Sequence, residues 1–290
     1  MKPKKGIYLF ILPAFLLYGL FSLYPTFYGL FISFTNWDGL SPTFDFVGWK
    51  NYKNLIVNDT VFAKSIGNNL KFMASVVIFQ TLLSLVFALF LVKNTKGNVV
   101  FRTIFFLPTI LSSISVAYIW SAMYDPNFGL IKAILNGLGI RNTPGWLADP
   151  DIAIYCVAFV QVWAHTGQLM IIFIAGLQSI PAELYEVSAL EGASKFQTFR
   201  TVTWPLIAPA AAIVIAYTTL QSFKSFDLVF AMTGGGPNYS TEILSTYIYN
   251  TAFQRYRFGY ASAASMIFML FVAAITFIQF KGLRTDQVKY

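Results

Sequence analysis

Long apolar stretches make up most of this chain, and short polar or charged stretches separate them. Six stretches lack Asp, Glu, Lys and Arg and are long enough to cross the hydrocarbon core of a bilayer, which takes about 20 helical residues. These stretches are residues 6–37, 72–92, 103–124, 152–182, 204–223 and 258–280. They predict an all-α, polytopic integral membrane protein with one transmembrane domain over residues 1–290. The expected spans are approximately residues 7–34, 72–92, 103–124, 152–177, 204–225 and 258–280.

Composition supports a membrane protein. Apolar residues account for 57% of the chain and charged residues for 11%, with a mean hydropathy of +0.62, whereas a soluble domain carries about 25% charged residues. The single cysteine, Cys156, lies inside an apolar stretch, so an intrachain disulfide is impossible and a packing role is expected.

The basic residues predict the orientation of the spans, because Lys and Arg are more frequent in short cytoplasmic loops. If both termini lie on one side, that side holds eleven of the twenty Lys and Arg residues and four acidic residues. The opposite side holds nine basic and eight acidic residues over a much greater length. Both termini are therefore predicted to be cytoplasmic. We interpret the net charge of +8 as a topology signal and expect no nucleic-acid partner.

Residues 181–205, here the charged segment, place several charges between two apolar stretches on the predicted cytoplasmic side. Pro181 and Glu183 are typical of a helix N-terminal region, and Gly192 predicts the end of that helix. Ser194 stands three residues before a glutamine, a capping-box pattern that opens a second helix. An apolar stripe follows the helix pair and consists of Leu184, Val187, Leu190, Phe196 and Phe199. The residues alone leave two interpretations open, docking into a partner protein or lying at the membrane surface.

Two stripes of uncharged polar side chains accompany the fourth and fifth apolar stretches. The first, at helical spacing, consists of Gln161, His165 and Gln168. The second, near the outer end of the fifth stretch, consists of Thr218, Ser222 and Ser225. Intramembrane polar residues usually face the bundle interior or a water-filled cavity, and these groups suit a neutral, hydroxylated substrate. Hydrogen bonding between helices is the alternative explanation.

The sequence contains no residues for catalysis or for energy conversion of its own. There are one histidine and one cysteine, so an enzyme with a metal cluster or nucleophile is disfavoured, and no metal or cofactor is expected on this chain. No apolar stretch carries an Asp or Glu for a proton relay, and no G-x-x-x-x-G-K-[ST] sequence is present for binding ATP. The energy for transport comes from another subunit, or the protein is a passive channel.

The charged segment resembles the cytoplasmic signature of permease subunits in binding-protein-dependent ABC importers of the carbohydrate type, the maltose-, lactose- and glycerol-3-phosphate-like group. That signature is a Glu-Ala-Ala triplet, a later glycine, and an aliphatic-x-x-Pro close. The corresponding residues here are Glu186-Val187-Ser188, Gly192-Ala193 and Val202-Thr203-Trp204-Pro205. Val187, Ser188 and Glu191 depart from the usual residues but keep size and charge similar. The resemblance extends through LPAFLLYGLFSLYPTFYGLFISFTNW, FVGWKNYKNL, RTIFFLPTILSSISVAYIW and TGGGPNYSTEILSTYIYNTAF, and so covers most of the chain.

The resemblance implies the six-helix fold of ABC importer permeases (type I) in a bacterial or archaeal cell (inner) membrane, surrounded by lipid. It implies three protein partners: a second, homologous permease in a heterodimer, a dimeric ATP-binding subunit that carries ATP and Mg, and an extracytoplasmic sugar-binding protein. The residues implied for coupling to the ATPase are Glu183, Glu186, Ser188, Glu191, Gly192, Ala193 and Pro205. By position, both polar stripes are implied for the substrate pathway. The turn implied to contact the binding protein consists of Gly234, Gly235, Gly236 and Pro237.

The leading hypothesis is therefore the transmembrane subunit of an ATP-driven importer for a sugar or oligosaccharide. The alternative is a self-sufficient secondary transporter or channel for a neutral polar solute, with the charged segment as a simple anchor. An importer for amino acids or phosphate fits less well, because an anionic ligand usually recruits Arg or Lys. The sequence leaves open which sugar is carried and whether it is phosphorylated.

Overall fold

A computed structural model of the chain describes residues 7–282, which form helices joined by turns and loops. Residues 7–282 contain no strand, and their only bridge pairs Thr35 with Phe46. The first seven helices are α1 (Ile7–Tyr18), α2 (Tyr24–Ile32), α3 (Lys50–Val57), α4 (Thr60–Leu91), α5 (Lys96–Phe106), α6 (Ser113–Met123) and α7 (Leu130–Gly137). The next seven are α8 (Ala153–Gln178), α9 (Ala182–Leu190), α10 (Lys195–Thr198), α11 (Trp204–Phe223), α12 (Phe226–Thr233), α13 (Leu244–Tyr249) and α14 (Phe258–Gly282).

Within the described residues, five helices are long and apolar enough to cross a membrane, and the number rises to six if one bent pair counts as a span. The five are Phe10–Ile32, Thr60–Leu91, Ala153–Gln178, Lys195–Phe223 and Phe258–Gln279. The prediction of an all-α, polytopic membrane protein is thus confirmed. Of the basic residues near the termini that predict the orientation, Lys281 lies within the described residues, and the others, Lys2, Lys4, Lys5, Arg284 and Lys289, lie outside them.

The third predicted span, residues 103–124, is not one continuous helix. Helix α5 passes into a short 3-10 turn at Leu107–Ile110, and α6 then begins at an angle of 100°. Pro108 lies at the start of the turn, and the Ser112 hydroxyl accepts a hydrogen bond from the N–H of Ser115, which caps α6. A proline and a helix cap in the middle of the stretch explain the break.

The second span is longer than predicted. Helix α4 begins at Thr60, twelve residues before the predicted start at residue 72, and includes Lys64 and Lys71. The Lys64 ammonium donates to the carbonyl of Asn238 at 2.7 Å, so this charge has a partner at the end of the helix. The uncharged stretch therefore starts twelve residues after the helix does, because Lys64 and Lys71 interrupt the apolar pattern without interrupting the helix.

The described residues form two compact units by internal contacts, residues 7–63 with 247–271 and residues 64–246 with 272–282. The larger unit contains two core clusters. The first core cluster joins α4, α6, α8 and α12 through residues that include Phe72, Val76, Val116, Trp120, Val157 and Val229. The second core cluster joins α4, α8 and α11 through residues that include Leu85, Leu91, Leu169, Phe173, Ile207 and Val214.

In the smaller unit, Asp59 connects three parts of the chain. Its Oδ2 accepts hydrogen bonds from the hydroxyls of Tyr247 at 2.6 Å and Tyr260 at 3.0 Å, and its Oδ1 accepts one from the N–H of Phe62 at 2.8 Å. Burial raises the pKa of Asp59, but these hydrogen bonds to the ionised carboxylate outweigh it, and the net pKa is lowered. The carboxylate therefore fixes the start of α4 to α13 and α14.

Replacement of Tyr247 by Phe is expected to destabilise this unit by about 1–3 kcal/mol, because a half-buried carboxylate loses a donor. Because the pKa of Asp59 in the folded state lies below its ordinary value, the ionised group stabilises the fold above that ordinary value. The stabilisation disappears as the pH falls through the folded pKa. Thermal unfolding in detergent between pH 7 and pH 3 should show a weaker acid dependence for Y247F than for the natural chain. Tyr256→Phe removes an exposed hydroxyl of the same unit and should leave the curve unchanged, and equal curves for all three proteins would contradict the prediction.

Candidate functional site

The charged segment consists of two helices that meet at a glycine. Helix α9 starts directly after Pro181, with Glu183 in its first turn, and ends at Leu190. Gly192 has a φ of +73°, the left-handed region that favours glycine. Ser194 then forms a capping box with Gln197. The predicted bend and cap are therefore confirmed.

The second helix of the charged segment does not end before the fifth span. Helix α10 continues through a π-helical turn at Phe199–Thr203 into α11, so that residues 195–223 form one helix. Any displacement of the bend at Gly192 therefore acts directly on the membrane-spanning part of α11.

The two arms of the charged segment are tied to each other and to the core. The hydroxyls of Ser188 and Thr198 lie 2.7 Å apart, and those of Tyr185 and Thr203 lie 3.3 Å apart, both within hydrogen-bonding distance. Tyr185 and Phe199 also pack against the second core cluster. Ser188, which the resemblance implied as an ATPase contact, is buried between the two arms in this structure.

The outer face of the charged segment combines acidic and apolar side chains. The remaining residues implied for coupling are placed as follows: Glu183, Glu186, Glu191, Gly192 and Pro205 are exposed, and Ala193 is partly exposed. The side chains of Leu190 and Phe196 are 89% and 72% exposed, so the apolar stripe faces away from the core along much of its length. Exposed apolar side chains beside carboxylates on a predicted cytoplasmic surface are typical of a protein-binding site.

The polar stripe of α8 lies partly against a narrow cleft. Gln161 and His165 line this cleft together with Pro108, Leu111, Ser113, Val116, Ala164 and Leu228. Gln168, one turn further along, donates from Nε2 to the hydroxyl of Tyr217 on α11 at 3.1 Å. The three side chains thus share one side of α8, as the spacing predicted, although Gln168 contacts a neighbouring helix.

The polar stripe of α11 does not present free hydroxyls. Thr218 donates to the carbonyl of Val214 at 2.8 Å, Ser222 to that of Thr218 at 2.8 Å, and Ser225 to that of Gln221 at 3.0 Å. All three residues are buried in the described structure. Hydroxyls in a membrane helix often bond the carbonyl four residues earlier. In this structure the three hydroxyls bond carbonyls of the preceding turn, and their place in the substrate pathway stays a prediction.

Residues 234–237, here the glycine turn, are tightly packed. Gly234 ends α12 in the left-handed conformation. Gly235 is buried, with the Glu242 carboxylate lying against its Cα, and Gly236 and Pro237 are partly exposed. Gly235 therefore has no surface to offer a partner, whereas Gly234 is exposed.

Residues outside the predicted set hold this turn in place. Asn68 on α4 donates from Nδ2 to the carbonyls of Tyr239 at 2.9 Å and Glu242 at 3.0 Å, and Lys64 contacts Asn238. Asn238 and Tyr239 are the exposed tip, and both have positive φ values. The asparagine pair at positions 68 and 69, which the sequence analysis did not single out, is the sequence signal that could have indicated this anchor.

The fold defines a multi-pass membrane protein with an exposed acidic and apolar surface on its predicted cytoplasmic side. Residues 55–281 match the family described as binding-protein-dependent transport system inner membrane component. The chain belongs to this family and is a transport subunit of the inner membrane, not an enzyme. No group of three or more potential metal ligands comes together within residues 7–282.

Curated relatives match over nearly the whole chain. The multiple sugar-binding transport system permease protein MsmF of Streptococcus mutans is 36% identical over 273 residues, which are 94% of this chain and 93% of the relative. The trehalose/maltose transport system permease protein MalF of Thermococcus litoralis is 31% identical over 274 residues, which are 94% and 92% of the two chains.

A solved structure shares the fold. A chain of a bacterial ABC transporter involved in the import of the acidic polysaccharide alginate superimposes with a TM-score of 0.84 at 22% identity. The match covers 97% of this chain and 96% of that chain. The predicted ABC importer permease fold is therefore confirmed.

Proposed function

We propose that this chain is the transmembrane subunit of an ATP-driven importer that carries a sugar or oligosaccharide into the cell. The exposed acidic and apolar face of α9 is the observation that carries the proposal, because this face is tied rigidly to the helices that cross the membrane. A partner pressing on that face moves α8 and α11 together. Since the sequence lacks a nucleotide-binding loop, ATP and Mg belong to a separate, dimeric ATP-binding subunit.

Two further partners complete the proposed complex. A second, homologous permease forms a heterodimer with this chain, and an extracytoplasmic binding protein delivers the substrate at the exposed tip of the glycine turn. A related solved structure, of the alginate transporter, is in complex with a periplasmic protein loaded with an alginate pentasaccharide. That relationship at 22% identity concerns the fold alone, so the partners are proposed for this chain from its own surfaces and its family.

A neutral sugar is the proposed substrate class. The polar residues of α8 that line the cleft, Gln161 and His165, include no permanent charge, whereas an anionic ligand would usually recruit Arg or Lys. Relatives named for transport of multiple sugars, trehalose and maltose, and diacetylchitobiose support the same class.

The proposal is tested by purifying the complex with its binding protein and screening that protein by calorimetry against neutral mono-, di- and trisaccharides and against uronic-acid oligosaccharides. Submicromolar binding of a neutral sugar, followed by its ATP-dependent uptake into proteoliposomes, is the expected result. Uptake by the chain alone, without an ATPase, would instead establish a self-sufficient transporter or channel.

Charge reversal at Glu186 is expected to weaken docking of the ATPase at least tenfold, because one exposed carboxylate at the interface is replaced by a cation. A tenfold change corresponds to about 1.4 kcal/mol. The amount of ATPase that co-purifies should be lower with Glu186→Gln than with the natural chain, and lowest with Glu186→Lys. Asp151→Asn, at an exposed position before α8, serves as the control and should retain the ATPase in full. Unchanged co-purification with E186K would exclude Glu186 from the interface.

A further inference from the structure

Arg102 joins the predicted cytoplasmic end of α4 to the start of α5. From α5, its Nε donates to the carbonyl of Leu91 at 2.9 Å and its Nη2 to that of Val92 at 2.8 Å. Leu91 is the last residue of α4, and the final carbonyls of a helix lack partners within the helix. Nη1 also donates to Asn94 Oδ1 at 3.0 Å. One side chain therefore caps α4 and fixes the turn that follows.

Gln178 brings a third helix into the same junction. It is the last residue of α8, and its Nε2 donates to the carbonyl of Val92 at 3.1 Å and to Asn94 Oδ1 at 3.4 Å. Both acceptors are also bonded by Arg102. Three residues after Gln178, Pro181 begins the charged segment. The junction therefore lies where the membrane bundle meets the segment that the ATPase is proposed to move.

The geometry requires arginine at this position. The guanidinium is a planar fork whose donors point in fixed directions, so it reaches several carbonyls at once, whereas a lysine ammonium acts from a single atom. Its positive charge is also favourable at the C-terminus of a helix. Lys96, at the start of the same helix, is exposed, and within residues 7–282 its ammonium donates to no such set of carbonyls. A basic residue that served only as a topology signal would not need the hydrogen bonds that Arg102 donates to residues 91, 92 and 94.

We propose that Arg102 is a positioning residue that locks α4 to α8, so that displacement of the charged segment moves α4 together with α11. Helix α11 follows the charged segment along the chain and is displaced with it directly. Helix α4 has no such covalent link, and apolar contacts of the second core cluster are non-directional. Within the bundle, Ser84 on α4 donates from Oγ to the carbonyl of Thr166 on α8 at 2.9 Å. The hydrogen bonds of Arg102 and Gln178 join the two helices at the end that lies next to the charged segment. The inference rests on the proposed function, in which an ATPase moves the charged segment.

The test uses the complete importer complex, with Cys156→Ser as the background and nitroxide labels on cysteines introduced at Lys93 and Ser179, both exposed. Dipolar broadening between the labels is measured by continuous-wave EPR without nucleotide and with ATP and vanadate. In the natural junction the broadening should be the same in both states. In Arg102→Gln it should fall by at least half when nucleotide is added, with a partial fall in Arg102→Lys.

Two further variants separate transmission from folding. Lys96→Gln removes a positive charge from the first residue of the same helix and should behave as the natural chain. Gln178→Leu keeps the cap on α4 but loses the side-chain link to α8, so it should also show a nucleotide-dependent fall and remains informative if R102Q does not assemble. The proposal would be overturned if nucleotide did not change the broadening in either R102Q or Q178L. This holds both when the broadening equals that of the natural chain and when it is already absent without nucleotide. If the purified complex of the natural chain contained no ATPase, the proposed function would be overturned as well. The subunit composition of the complex shows this outcome independently of the EPR measurement.

Discussion

Replacement of Gly192 by valine is expected to abolish ATP-driven uptake in the assembled importer while the chain still inserts into the membrane. Gly192 has a φ of +73°, and this region costs a residue with a side chain about 1–2 kcal/mol, with β-branched residues among the least tolerated. A Cβ atom at this position meets no atom within 4 Å, so the effect comes from the backbone angle alone. The strain is relieved most easily by turning α9 away from α10. That movement would separate Ser188 from Thr198 and misdirect the exposed face of α9.

The matched variant is Gly192→Asn, because asparagine adopts the left-handed conformation far more readily than valine. Uptake and ATPase co-purification should be largely retained in G192N and lost in G192V, at equal amounts of chain in the membrane. If both variants transport equally well, the bend is not required for coupling. If both fail equally, the glycine is needed for contact with the partner, not for its backbone angle.

The charged segment was predictable from the sequence because its structure is determined locally. Gly192 and the Ser194 capping box act on the backbone within a few residues, so their pattern is sufficient to locate both helices and the bend. The burial of Ser188 was not predictable. It depends on Thr198 lying opposite after the chain reverses, and a sequence motif does not distinguish a residue on the outer face from one between the two arms.

The membrane spans were predictable in approximate place, but not in their ends, and the described residues give five candidate spans, or six if the bent pair counts as one. The absence of charge defines a hydrophobic stretch and not a helix. Helix α4 therefore extends through Lys64 and Lys71, while the stretch that contains Pro108 is divided by a proline and a cap. Both local signals were present in the sequence, and they outweigh hydropathy at the positions where they occur.

The polar stripes illustrate the limit of periodicity. Spacing correctly placed Gln161 and His165 on one side of α8, yet the same spacing on α11 gave hydroxyls that bond their own helix. A serine or threonine can satisfy itself on the preceding turn, whereas a glutamine side chain is too long to do so readily and reaches neighbouring groups. Side-chain type therefore carried information that spacing alone did not.

Replacement of Gly167 by alanine is expected to prevent normal packing of α5 against α8. A Cβ atom at Gly167 would lie 2.0 Å from the carbonyl oxygen and 2.4 Å from the carbonyl carbon of Phe105. Both are backbone atoms, so the clash is relieved only if the helices separate. Small residues permit close approach of membrane helices, and overpacking of this kind costs about 1–3 kcal/mol or more. We expect Gly167→Ala to abolish uptake and to leave little monodisperse protein after purification in detergent.

A graded series makes the Gly167 prediction specific to close backbone approach. At Gly176, also on α8, a Cβ would lie 2.8 Å from the Cβ of Ala210, a less severe contact, while at Gly67 on α4 it meets no atom within 4 Å. Thermal stability in detergent should therefore fall most for Gly167→Ala and less for Gly176→Ala. It should stay the same or rise for Gly67→Ala, since alanine is favoured over glycine in a helix by about 0.5–1 kcal/mol. The opposite order would mean that the backbones of α5 and α8 do not approach closely at Gly167.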